Sequence, residues 1–199
     1  MITREQFELI KKKHGYHASW AVWADEGDTP KSNMGDLSVL DPDINKDLLS
    51  QLNPNVVLVG LNISRGGIDE PFGNFHDRRP EATDYKTRFA AKNSPLWGAY
   101  MTDIIKDFEQ KISGAVSAYL KQNRDFEREN AKTFLQELSD IGSTAPALIA
   151  FGNATHDILK RNFKNDFQIL KIPHYATYVS KENYREQVRS VWKSHTDHW

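Results

Sequence analysis

The chain has 199 residues, 39% hydrophobic and 27% charged, with Lys+Arg 26 against Asp+Glu 27 for a net charge of -1. That balance suits one globular domain with a sizeable core and excludes global disorder, while near-neutrality confines any nucleic-acid footprint to a local patch. The absence of cysteine excludes disulfides, thiolate metal sites, cysteine-ligated iron–sulfur clusters and a Cys nucleophile.

No apolar run approaches the roughly 20 residues that span a bilayer, and the polar start Thr3-Arg4-Glu5-Gln6 is unlike a signal peptide. The expectation is a cytoplasmic monomer without a membrane partner. In chain order, Phe7, Leu9 and Ile10 among charges predict a short amphipathic helix over 3–13. The aromatic stretch Tyr16–Trp23 reads as a hydrophobic flap over the core, in preference to a ligand-contacting segment. Residues 25–43, rich in Asp, Gly and Pro, read as loop.

Four strands follow. Val56-Val57-Leu58-Val59-Gly60-Leu61 is a continuous branched apolar run, as in a strand buried on both faces. Ala99–Ile105, Ala147–Gly152 and Phe167–His174 are the others. Helical spacing marks 126–139 (Phe126, Ala131, Phe134, Leu135, Leu138), Thr155–Asn162 and Lys181–Lys193 (Tyr184, Val188, Val191, Trp192). Strand–helix alternation predicts a three-layer α/β/α sandwich around a central, mostly parallel four-stranded sheet.

Ligands of such sheets bind at the carboxyl ends of the strands. The residues expected there are Asn62, Ser64 and Arg65, then Thr102, Asp103 and Lys106, then Gly152, Asn153 and His156, then His174, Tyr175 and Thr177. There is no G-x-x-x-x-G-K-[ST], no G-x-G-x-x-G after a strand and no G-x-S-x-G, which argues against P-loop, dinucleotide and α/β-hydrolase sites. Arg65-Gly66-Gly67 reads equally as a phosphate-binding turn or a flexible loop. The pairs His14/His17 and His195/His198 are closely spaced, but no carboxylate–histidine set at ligand spacing accompanies them, so neither metal nor other cofactor is expected.

Gly60-Leu61-Asn62-Ile63-Ser64 after the first buried strand, Thr102-Asp103-Ile104-Ile105-Lys106, and His174-Tyr175-Ala176-Thr177 after the last strand together resemble the uracil-DNA glycosylase superfamily. The Asn at position 62 is similar to that of its mismatch-specific branch. The resemblance spans roughly residues 55–190. It implies a single domain over 1–199, with a glycosylase-like core at 55–193 and an N-terminal helix and aromatic/loop extension at 1–50.

The implied partner is DNA, and the implied reaction is hydrolysis of the N-glycosidic bond of an altered, flipped-out base. Asn62 would hold the attacking water and His174 would stabilise the departing base. Phe72, Phe75, Asp103 and Tyr175 would bind the base, with stacking worth about 1–3 kcal/mol. Ser64, Arg65, Arg78, Arg79 and Lys106, with Arg88, would contact phosphates. Asp103 stands where several branches carry Asn. An ionised Asp only accepts hydrogen bonds and would suit a base with an exocyclic amine; a structural, ion-paired Asp103 is the alternative. Asn62 could instead serve a turn with positive φ, and His174 could be a hydrogen-bonded structural histidine. A catalytically inactive nucleic-acid or nucleotide-binding member of the fold and a small-molecule α/β enzyme are the rival functions.

Overall fold

The computed structural model describes residues 1–64, 68–106 and 108–196. Its sheet has five strands: β1 (Ala18–Trp20), β2 (Asn53–Asn62), β3 (Ala99–Ile105), β4 (Ala147–Phe151) and β5 (Gln168–Ile172), in the order β1-β3-β2-β4-β5. The last four are mutually parallel, and β1 pairs antiparallel with β3. The expected four-stranded sheet is therefore corrected by one strand. The segment read as an aromatic flap is itself an edge strand, too short for period-two patterning to stand out and buried at all three positions.

Alternation along β2 decides the layers. Val57, Val59 and Leu61 point to one side, where they pack with α1 (Arg4–His14), α4 (Ser113–Gln122), α5 (Arg124–Asp140) and α6 (Gly152–Phe163). Val56 and Leu58 point to the other, towards α3 (Tyr85–Ala91) and α7 (Lys181–Thr196). A short helix α2 (Leu48–Gln51) and a single 3-10 turn at Leu37–Leu40 occupy the long approach to β2. Among the described residues no helix is long and apolar enough to cross a membrane.

The N-terminal region is structural. Phe7 and Ile10 of α1 are fully buried, and Trp20 meets Tyr100 edge-on at 4.9 Å. It also holds the backbone of the connection between β2 and α3. Ser19 Oγ donates to the Phe72 carbonyl at 2.9 Å, Trp23 Nε1 donates to that of Phe75 at 3.3 Å, and Phe72 N–H donates to Gly15 at 2.6 Å. Phe72 and Phe75 both have positive φ, 67° and 65°, a costly conformation for bulky residues that persists only where surrounding contacts impose it.

Gly98 enters β3 with φ 79°, and a Cβ there would lie 1.9 Å from the Gln51 carbonyl oxygen. Its N–H donates to Ala21 and its carbonyl accepts from Asn53, tying β3 to both neighbours. Gly98→Ala is expected to destabilise the protein by at least about 2 kcal/mol. Urea unfolding should show this as a lowered midpoint with an unchanged slope.

Candidate active site

The register of β2 against β3 pairs Gly60 with Asp103 and Asn62 with Ile105. Alternation then puts Gly60, Asn62 and Asp103 on the face covered by α3 and α7. β2 stays extended through Asn62, so Gly60 is a strand residue and the turn begins only after Asn62. What Gly60 supplies is space: a Cβ there would lie 2.1 Å from Asp103 Oδ1 and 3.3 Å from the Phe75 ring.

Asn62 is not among the positive-φ residues, so a turn requirement does not account for it. Its Nδ2 faces three backbone carbonyls, Ile63 at 3.0 Å and Phe108 and Gln110 at 2.9 Å each. That anchorage fixes which end of the amide is nitrogen, and the oxygen is the end turned away from these carbonyls.

Asp103 is 3% exposed. Asn74 Nδ2 donates to its Oδ2 at 2.9 Å and to the His17 carbonyl at 2.9 Å, linking the carboxylate to the N-terminal region. Burial pushes the carboxyl up to about 7, against the opposing pull of the Asn74 hydrogen bond and the Lys106 charge. His174 follows β5. Its Nδ1 accepts from the Ala176 N–H at 3.1 Å, which leaves the neutral ring's proton on Nε2. Burial holds its pKa below the ordinary value, so it is a neutral donor at pH 7. Its ring stacks on Tyr175 with centroids 4.3 Å apart.

These residues border one cleft at the carboxyl edge of the sheet. Its volume is about 700 Å³, within the range of ligand sites, and its lining includes Asn62, Asp103, His174 and Tyr175. Opening from it is a niche of about 40 Å³ lined by Asn62, Ser64, Asn74, Phe75, Asp77, Asp84, Asp103 and Tyr175. The niche is too small for a nucleobase and has room for a few waters at roughly 10–15 Å³ each. The first turns of α4 and α6 also border the cleft, and neither has a side-chain N-cap. Their N–H groups give this otherwise acidic rim two positive helix ends.

Several expected roles are corrected. Phe72 is 1% exposed and packs on Phe7 at 5.4 Å, in the core on the opposite side of the sheet from Phe75. Lys106 lies three residues beyond Asp103, an odd step that sends it to the other face. There its Nζ sits 2.6 Å from Glu137 Oε2 and donates to Thr102 Oγ1 at 2.9 Å, so it is not a phosphate contact. Arg88 is 1% exposed and donates to the carbonyls of Ala24, Pro30 and Ser32. Arg78 lies along Gly35 and does not border the cleft. Arg79 does border it, paired to Asp77 at 2.7 Å. Arg65, with the Arg65-Gly66-Gly67 turn, lies outside the described residues, as does His198.

Sequence reasoning passed over Asn74, Asp77 and Asp84, which occupy the irregular connection between β2 and α3 where no periodicity operates. The available signal for Asn74 and Asp77 was the cluster of polar residues Asn74, His76, Asp77 and Arg78 around the proposed base-binding Phe75. His14 and His17 do meet a carboxylate: their ligand atoms and those of Glu137 lie within 4.8 Å of one another. Glu137 is already neutralised by Lys106 and accepts from Tyr100 Oη at 2.7 Å, and His14 Nε2 pairs with Asp140 at 2.8 Å. The group reads as a buried ion network.

Removing one partner of that network tests its placement. Lys106→Met would leave Glu137 buried without its cation and is expected to cost about 3–5 kcal/mol in thermal or urea unfolding. A surface phosphate contact would cost almost nothing. Comparison with known proteins gives no relative: no family model, no curated protein and no solved structure matches the chain.

Proposed function

We propose that the protein hydrolyses the N-glycosidic bond of an altered base in DNA, the base entering the cleft between β2, β3 and the segment after β5. The observation that carries this reading is the convergence of Asn62, Asp103, His174 and Tyr175 on one cleft from three different strand ends. Breaking the bond builds positive charge on the sugar and negative charge on the departing base. A neutral His174 with its proton on Nε2 is suited to the second. The anchored Asn62 amide offers an acceptor for water. Tyr175, already stacked on His174, offers a face for the flipped base, with Phe75 deeper in the site.

A second reading has its own support. Lys106 and Arg88 are engaged inside the protein, and the cleft is bordered by Asp77, Glu81, Asp84 and Asp103 against Arg79 and Lys111. That charge balance favours a neutral nucleoside over a polyanion. The bond broken and the roles of Asn62 and His174 are the same in both readings.

One screen separates them. The protein is incubated with duplex and single-stranded oligonucleotides carrying uracil, hypoxanthine, xanthine or ethenocytosine, and in parallel with the corresponding nucleosides. Alkali-labile strand breaks support the DNA reading, and free base from nucleosides alone supports the second. Asn62→Ala and His174→Ala are each expected to lower the single-turnover rate by about 10²–10³-fold. Absence of base release from every substrate would remove both readings.

A further inference from the structure

We propose that Asp103 is the general base of this site, taking a proton from a water held in the niche between its carboxylate and the Asn62 amide. This rests on the reading of the cleft as one for N-glycosidic hydrolysis, and it replaces the base-reading role that the sequence suggested for Asp103. The niche is water-sized at about 40 Å³, while the cleft it opens into holds about 700 Å³. Substrate and water therefore have separate places, and Asn62, Ser64, Asp103 and Tyr175 border both. The carboxylate is held at one oxygen by Asn74, and the other lies over Gly60, where any side chain would collide with it.

The step balances without a further reactant. The water oxygen forms a bond to the anomeric carbon while one of its protons passes to Asp103. The carbon–nitrogen bond breaks and its electron pair leaves with the base, whose developing charge the His174 Nε2–H meets. Asp103 then returns the proton to solvent as the product departs, and the released base anion takes one up from solvent.

The charged groups around Asp103 also suit the task. Lys106 from its own strand favours the carboxylate, while Glu137 from α5 and Asp84 from the segment before α3 oppose it; Asp77, paired with Arg79, borders the same niche. Burial outweighs these influences and places the carboxyl near 7, where a general base combines availability with strength. The deprotonated form is the active one, so the rate should rise with pH through about 7 and level off above it.

Single-turnover base release is measured from pH 5 to 9 on whichever of these oligonucleotides or nucleosides the wild type cleaves. Asp103→Asn is expected to lower the plateau by about 10²–10³-fold for every cleaved base and to abolish the limb near pH 7, with substrate affinity held within a few-fold. Its fold should survive, because the substitution removes a buried charge; at pH 8 it should unfold at equal or higher urea than the wild type. Asn74→Ala should move the limb to higher pH, since it deletes a hydrogen bond to the carboxylate. Added formate should restore part of the rate to Asp103→Ala and none to His174→Ala. A wild-type rate and pH limb in Asp103→Asn, or a rate that is kept while the order of preference among these bases changes, overturns the proposal and leaves N-glycosidic hydrolysis standing. Absence of base release by the wild type overturns both.

Discussion

Among the described residues no cation pairs with the buried Asp103 carboxylate, and the candidate site is arranged around that fact. β3 lies against two buried carboxylates, one at each face. On one face Glu137 receives the Lys106 ammonium, the Tyr100 hydroxyl and the field of His17, and its pKa is held below the ordinary value. On the other, Asp103 receives a neutral amide from Asn74, and its pKa is raised. Burial is common to both. The difference is a full charge at hydrogen-bond distance, which turns one carboxylate into a structural pair and leaves the other with its proton affinity near that of neutral solution.

Much of the sheet was legible because its strands are dense in branched apolar residues. β2 and β3 stand out on composition alone, and the helices α5, α6 and α7 carry an apolar stripe at 3.6-residue spacing. What escaped was held by distant contacts. β1 is three residues long and owes its conformation to pairing with Tyr100, Met101 and Thr102, about eighty positions away. The helix α3 mixes Lys86, Thr87 and Arg88 among its buried residues, because they donate to or pack against loops and no apolar stripe marks them.

The site followed the same division. Asn62, Asp103, His174 and Tyr175 could be placed because the ends of parallel strands are fixed by topology, and the rule about where ligands bind needs only those ends. Phe72 and Phe75 could not be separated by sequence: they are neighbours in one loop, and only the two positive-φ turns send their rings to opposite sides of the sheet. Lys106 was grouped with Asp103 by proximity in sequence, although the pleat assigns them to opposite faces. Arg88 looked like a free cation, yet its guanidinium organises the loop at residues 24–32. In each case the residue type was informative and the direction of the side chain was missing.

The Asn74 bridge from the His17 carbonyl to Asp103 joins segments separated by 57 and 29 positions. Closing such long loops consumes chain entropy before any contact rewards it. The β2–β4 ladder and the helices beside it have no need of this bridge, whereas the niche needs the first twenty residues docked on β3 and the β2–α3 connection laid over them. During synthesis, the segment that completes the pocket leaves the ribosome before its partner strand and must wait for it. The site therefore depends on a long-range docking step, since loss of the first twenty residues would remove the His17 carbonyl that anchors Asn74, the carboxylate's holder.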